Sequence, residues 1–332
     1  MIRAAIIGFG WWGQTIASNL MQSDAIRPVL AIDPDENARA KAGTMGLATA
    51  ARFETALERS DIEAVILCTP QDRHAMQIEA AARAKRHVFC EKPLCTTAAD
   101  AERAIAAVRA AKVQIGIGHE RRFEPAVIEM RKRYAAGEFG EALILEANFS
   151  QDKFLKLPRN NWRLSKLENP AGPLSATGIH LVDLSIALLG QPTQVWARLA
   201  TLGTDFANGD TLAITLGFAN GATASLTAVL ATPFIGRLAL LGSKGWMEIR
   251  DRTHPENPTG WDITRTLRDQ EPATAYYPPH PAVRDNLEAF ARAAMGKAPY
   301  PVSHDEMLAN VRTFEAIQRS AVSGGLEPVQ VA

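Results

Sequence analysis

The chain begins with a stretch that leaves few folds open. Ile2, Ala4, Ala5, Ile6 and Ile7 form a short apolar run, the pattern of a strand buried on both faces. Gly8-Phe9-Gly10-Trp11-Trp12-Gly13 follows at once, and then a helical stretch from Gln14 to Met21. This is G-x-G-x-x-G set between strand and helix. Gly8 permits the tight turn, Gly10 lets a pyrophosphate approach bare backbone, and Gly13 lets the helix pack close to the strand. The helix N-terminus favours the negative charge of a phosphate. The stretch predicts a dinucleotide site formed by Gly8, Phe9, Gly10, Trp11, Trp12 and Gly13.

A second apolar run, Pro28 to Ile32, ends on Asp33, twenty residues after Gly13. A carboxylate there accepts hydrogen bonds from a ribose 2′-hydroxyl and repels a 2′-phosphate, which favours NAD over NADP. Asp33 can instead cap the helix that starts near Pro34-Asp35. Arg39 is close enough in sequence to pair with a 2′-phosphate. NAD is the expected cofactor, with NADP as the alternative.

A length of 332 residues predicts two domains. Thirty-six basic residues balance thirty-six acidic ones, so no global charge draws the chain to nucleic acid or to an anionic membrane. No apolar stretch approaches the roughly twenty residues of a membrane span. The N-terminus lacks the features of a signal peptide. Cys68, Cys90 and Cys95 form no C-x-x-C, which predicts reduced thiols in a cytoplasmic protein and no metal site.

Strand and helix then alternate. Ala64 to Cys68, His87 to Cys90 and Val113 to Ile117 read as further buried strands, and Gln71 to Lys85 and Asp100 to Ala111 as helices between them. That order predicts a doubly wound parallel sheet, a Rossmann domain over residues 1–119. Beyond it the pattern changes. Phe123 to Ala136 is an amphipathic helix. Glu141 to Phe149, Gln194 to Thr201, Thr211 to Phe218, Ala222 to Leu230, Arg237 to Leu241, Gly245 to Arg250 and Trp261 to Thr266 are strand candidates. Asn220-Gly221 marks a hairpin. Residues 120–332 are therefore expected to form an α+β domain with an open-faced, mostly antiparallel sheet, covered on one face by a helix over Ser175 to Leu189. Two helices, Ala282 to Met295 and Asp305 to Ser323, close the chain. An open sheet leaves a face to cover, which predicts a homodimer or homotetramer formed through it.

Ligands of a doubly wound fold sit at the carboxyl ends of its strands. That rule selects Thr69 to His74, Glu91-Lys92-Pro93 and the turn after Ile117. Lys92 follows a buried strand and precedes a proline, where a lysine can donate to a substrate oxygen and tune proton transfer. It can equally pair with Glu91 or lie along the surface.

These residues together resemble the family of glucose–fructose oxidoreductase, inositol dehydrogenase and MocA. The matches run nearly end to end: the glycine turn, Thr69-Pro70 with His74, His87-Val88-Phe89-Cys90-Glu91-Lys92-Pro93-Leu94, Gly118 to Pro125, Asn161-Trp162-Arg163, and Gly178-Ile179-His180-Leu181-Val182-Asp183. The resemblance implies nicotinamide-dependent hydride transfer in an active site between the two domains. It implies that Lys92 and His180 are the catalytic pair and that the Lys92–Pro93 bond is cis. It adds Thr69, Pro70, His74, Glu91, Trp162 and Arg163 to the cofactor's surroundings. On a helix, His180 and Asp183 share a face, so Asp183 is expected to orient the imidazole; an isolated histidine would otherwise cap or pack the helix.

One position departs from the family. Many of its dehydrogenases carry an aspartate four residues before the histidine, and here that residue is Ala176. Ser175 and Thr177 flank it and can relay a proton but hold no charge. An imidazole without that carboxylate is a weaker base. Around the site, Lys92, Arg121, Asn160, Thr177, His180 and Tyr277 are the expected substrate contacts. His119, Glu120, Asp152, Arg159, Tyr276 and His280 are further wall candidates, the last with the tyrosines in a Pro-rich loop. Acid, base, amide and aromatic groups together suit a carbohydrate-like substrate. The expected function is an NAD(P)-dependent oxidoreductase acting on a sugar, polyol or derivative. The alternatives are a redox-neutral enzyme that oxidises a sugar transiently, and a non-catalytic NAD-binding sensor.

Overall fold

The computed structural model describes residues 1–330. Two compact units divide the chain, residues 1–120 with 281–311, and residues 121–280 with 312–332.

The first unit is built on six parallel strands. In chain order these are β1 (Ile2–Ile7), β2 (Ile26–Ile32), β3 (Ala48–Ala50), β4 (Ala64–Leu67), β5 (His87–Cys90) and β6 (Ile115–Ile117). They lie in the order β3-β2-β1-β4-β5-β6. Helices α1 (Trp11–Leu20), α2 (Glu36–Thr44), α3 (Glu54–Glu58), α4 (His74–Arg83) and α5 (Ala98–Ala111) make the crossovers. All four residues of β4 are buried, as its unbroken apolar run requires of a strand covered on both faces. This is the doubly wound sheet that the alternation predicts. The strand order reverses between β1 and β4, so the turns after them flank the crevice where such folds bind ligands.

The first unit is not closed by its own 120 residues. The second half of the chain supplies α8 (Ala282–Ala294) and the first residues of α9 (His304–Ser323), whereas the sequence places every residue after 119 in the second domain. The cause is apolar. Leu287, Phe290 and Ala291 of α8 join Ile6, Ile16, Ile66 and Phe89 in one core cluster, and the Phe89 and Phe290 rings meet edge to face at 5.7 Å. Tyr300 secures the return: its hydroxyl donates to Asn286 Oδ1 at 2.6 Å and accepts from the Ile117 N–H at 3.1 Å.

The second unit opens with α6 (Pro125–Ala135) and β7 (Ala142–Ser150). After α7 (Ile179–Leu189) come β8 (Pro192–Ala200), β9 (Thr211–Phe218), β10 (Thr223–Val229), β11 (Ile235–Gly242), β12 (Gly245–Asp251), β13 (Trp261–Leu267), β14 (Ala273–Tyr277) and, last, β15 (Glu327–Pro328). They form one nine-stranded sheet in the order β14-β13-β12-β11-β7-β10-β9-β8-β15. Every pair is antiparallel except β7 with β10, so the sheet is mostly antiparallel, as expected. Helix α7 packs on β7 and β10 from one face. The other face is open. On it Leu241 stands beside Ile144 of β7 and Trp246 of β12, and both of those neighbours are exposed. Strand β14 corrects the expectation of a Pro-rich loop over Tyr276 and Tyr277. The prolines begin only at Pro278, and Ala273 to Tyr277 pair with β13 as an edge strand.

Candidate active site

In the first unit, the turn after β1 adopts the form the glycines predict. Gly8 has φ +88°, a conformation L side chains rarely adopt, and a Cβ on Gly13 would overlap the Gly8 carbonyl. Gly10 caps α1 and has no atom within 4 Å of where a Cβ would project, which leaves room for a ligand against the backbone. Phe9 is buried, Trp12 is half-buried, and Trp11 is exposed with its ring 5.2 Å from that of Trp12. Asp33, at the end of β2, accepts from the Phe9 N–H at 2.7 Å and from the Asp35 N–H at 2.9 Å. Asp35, not Asp33, caps α2, by accepting from the Asn37 N–H. Arg39 donates to the carbonyls of Asp33 and Pro34 at 2.9 and 2.8 Å.

The turns after β4 and β5 are tied together by His74. Its Nδ1 lies 2.8 Å from the Pro93 carbonyl and its Nε2 3.0 Å from that of Thr69. Burial lowers its pKa, against the pull of those carbonyls. His74 thus pins Thr69-Pro70 and Lys92-Pro93 in one arrangement, and the Thr69 hydroxyl donates to Gln77 at 2.6 Å. The Lys92–Pro93 bond is cis. Lys92 is half-buried at the carboxyl end of β5. Glu91 beside it is buried, and its pKa is pushed up to about 8. Burial is the main cause, Glu120 adds to it, and Trp12 and Lys92 partly offset it.

In the second unit, His180 sits in the first turn of α7 and is buried. A π-turn, Leu174–Gly178, leads into that helix, a departure from α geometry that often occurs at functional sites. Thr177 is fully buried and its hydroxyl donates back to the Pro173 carbonyl at 3.4 Å. Ala176 packs against an apolar cluster of Leu164, Phe206 and Leu230. The structure gives Asp183 a role its helical spacing does not reveal. Its carboxylate receives Arg122 Nε at 2.7 Å and Nη2 at 2.8 Å, a buried bidentate ion pair that makes it the counter-charge of that guanidinium.

Trp162 and Arg163 form a short 3₁₀ turn, with the guanidinium 4.4 Å from the Trp162 ring centroid. Burial lowers the pKa of Arg163. Two asparagines absent from the sequence expectations hold this turn. Asn169 and Asn208 both donate to the Arg163 carbonyl, at 2.9 and 2.7 Å, and Ser175 at the π-turn donates to Asn169 at 2.5 Å. Asn160 is exposed, and Tyr277 pairs with Trp261 on the edge of the sheet. Arg121 is buried between Glu124 and Asp251, which outweigh the cost of burial and hold it firmly charged. Its guanidinium lies 5.1 Å from the centroid of Phe149, whose ring is 6.0 Å from that of His180. Phe149 and Asp251 carry no local sequence signal, because they reach this cluster from two different strands. Among the described residues, no group of His, Cys, Asp and Glu is arranged to hold a metal ion, and no helix is long and apolar enough to cross a membrane.

Comparison with known proteins places this arrangement. The model of an oxidoreductase family with an NAD-binding Rossmann fold matches residues 2–119, and that of the GFO/IDH/MocA C-terminal domain matches residues 127–248. The chain belongs to the GFO/IDH/MocA family of oxidoreductases. Inositol 2-dehydrogenase of Rhizobium meliloti is 28% identical over 96% of this chain and 96% of that protein. D-xylose 1-dehydrogenase (NADP(+)) 2 of Haloferax volcanii is 28% identical over 87% of this chain and 88% of its own length. Among solved structures, aldose–aldose oxidoreductase from Caulobacter crescentus, complexed with glycerol, superposes with a TM-score of 0.88 at 26% identity, covering 98% of this chain and 99% of that one.

Proposed function

We propose that this family member oxidises or reduces a secondary carbinol of a sugar or polyol with NAD as the preferred cofactor. The observation that carries the reading is Lys92, an ammonium kept half-buried at the carboxyl end of β5, beside the two turns that flank the dinucleotide crevice. The named dehydrogenases among the relatives support the substrate class. Gly8, Gly10 and the N-terminus of α1 would hold the pyrophosphate, and Asp33 the adenosine ribose. Trp162 and Arg163 would lie toward the nicotinamide. The bound nicotinamide supplies the hydride chemistry. Lys92 donates to the substrate oxygen and stabilises its developing charge, while His180 takes or returns the hydroxyl proton. The preference for NAD is supported by Asp33, whose carboxylate is already fixed against the glycine turn. Arg39, the residue able to meet a 2′-phosphate, is committed to backbone carbonyls.

The open sheet face, with its row of Ile144, Leu241 and Trp246, is the surface through which we infer that copies of this chain associate. Sedimentation of the wild type and of Trp246→Glu checks this. A dimer or tetramer that the substitution dissociates is expected.

Formation of reduced nicotinamide from NAD and from NADP, across neutral sugars, polyols and sugar acids, tests the reaction. The expected result is turnover of one substrate class, faster with NAD, with a loss of about 100-fold or more in kcat for Lys92→Ala and little change in NAD dissociation. Product formation without net reduced nicotinamide would overturn the reading in favour of a redox-neutral reaction.

A further inference from the structure

Glu91, the residue before Lys92, is a buried acid with no part in the hydride transfer proposed above. Backbone hydrogen bonds fix its place in the first unit. Its N–H donates to the Leu67 carbonyl of β4 at 2.9 Å, and the Gly118 N–H, just after β6, donates to the Cys90 carbonyl at 2.9 Å. A Cβ on Gly118 would overlap both carboxyl oxygens of Glu91, so the acid lies against bare backbone two residues before Glu120. It accepts a long hydrogen bond from the Lys92 N–H at 3.3 Å and faces the Trp12 indole of α1. An ionised carboxylate has about four acceptor sites to fill, and among the described residues these contacts fill few of them. Burying it charged is therefore costly, and the charge of Glu120 adds repulsion. The other titratable neighbours are Cys68, Cys90 and, on the turn that carries Glu120, the buried His119. Burial raises both thiols well above their usual range, so they stay uncharged.

We propose that Glu91, pressed by the charge of Glu120, keeps its proton at neutral pH and yields it in alkali, where its carboxylate then holds the Lys92 ammonium charged. Below about pH 8 the side chain next to Lys92 is a neutral acid. Above it a carboxylate stands beside the ammonium, and an opposite charge at that range favours the charged form of the lysine. Oxidation of a carbinol by NAD releases one proton, so its equilibrium moves toward the carbonyl as pH rises. The donor to the substrate oxygen is thus kept charged in the range where oxidation runs furthest. Glu91 and Glu120 act through Lys92 and are positioning residues. The inference rests on the dehydrogenase reading for what Lys92 does, but not for how its charge is set.

The test uses the full-length protein with Glu91→Gln and Glu120→Gln, which keep shape and each remove one ionisable group. Infrared spectra across the pH range follow the protonated carboxyl. Carbon NMR of Lys92 Cε, assigned by its loss in Lys92→Ala, follows the ammonium, and neither readout needs turnover. A protonated carboxyl is expected at pH 7 that titrates near pH 8 and is missing from Glu91→Gln. Glu120→Gln is expected to lower that midpoint by about one pH unit. Glu91→Gln is expected to lower the Lys92 midpoint by about one pH unit, a tenfold change, and to carry the alkaline limb of kcat down with it. A merely structural role would leave both midpoints in place. In the wild type, the Lys92 signal is expected to show a small first step as the carboxyl ionises, a readout that stands even where a variant fails to fold. No such carboxyl at pH 7, no first step, or a Lys92 midpoint unmoved in Glu91→Gln overturns the proposal. A carboxyl midpoint unmoved in Glu120→Gln overturns the part given to Glu120. Midpoints that move as stated, in a protein that forms no reduced nicotinamide, sustain the charge coupling and overturn the dehydrogenase reading instead.

Discussion

Glu91 holds its proton more tightly in the folded protein than in the unfolded chain, because burial carries its pKa from 4.5 to about 8. A carboxyl raised in this way contributes stability in full below its unfolded value and loses it as pH rises through the folded one. Glu91→Gln, which keeps the shape and cannot ionise, is therefore expected to flatten the fall of melting temperature between about pH 5 and pH 8.5. Thermal melts across that range check it, and equal slopes in both proteins would assign the effect to another group. Asp183 shows what sequence spacing misses at this scale. A helical wheel compares Asp183 only with neighbours such as His180, whereas its bidentate partner Arg122 lies sixty-one residues away in the chain. Removing one member strands a buried charge, so Asp183→Ala is expected to cost about 3–5 kcal/mol in denaturant unfolding. The glycine turn, by contrast, was legible in full, because its geometry is set by the residues that compose it.

At the scale of elements, the π-turn before α7 carries Ala176, the residue that stands where many dehydrogenases of the family have an aspartate. Ala176 faces Leu164, Phe206 and Leu230, so restoring the aspartate sets a carboxylate against an apolar cluster. Ala176→Asp is expected to destabilise the protein by about 1–3 kcal/mol, seen by calorimetry as a lower melting temperature. An unchanged melting temperature would mean that the side chain finds a polar partner. The same stretch depends on Asn208, whose amide donates both to Arg163 and to the Asn169 carbonyl. Asn208→Ala is expected to raise the KM for cofactor several-fold while costing about 1–2 kcal/mol of stability. Of the strands missed in the sequence, β14 is short and borders a run of prolines, and its residues are largely exposed. It lacks the apolar alternation that marks a strand with one face buried, and only pairing with β13 defines it.

At the scale of the whole molecule, the parallel and the mostly antiparallel sheet follow from patterns that a reader of the chain can find, because most of their strands carry their own periodicity. The return of residues 281–311 to the first unit does not, since an amphipathic helix does not announce which sheet it will cover. Phe290 is fully buried against Phe89, and Phe290→Ala is expected to cost about 3–5 kcal/mol. A fragment ending at residue 119 is expected to show lower unfolding cooperativity than the full chain, with exposed apolar surface detected by dye binding. The same return sets a timetable for synthesis. The nucleotide-binding sheet leaves the ribosome first, yet the helix that seals one of its faces is translated roughly 160 residues later. At ~5–20 residues per second, the face around Phe89 waits roughly ten to thirty seconds for its cover. During that interval the nascent chain displays a finished sheet edge and an unfinished core, the state in which a chaperone has most to offer it.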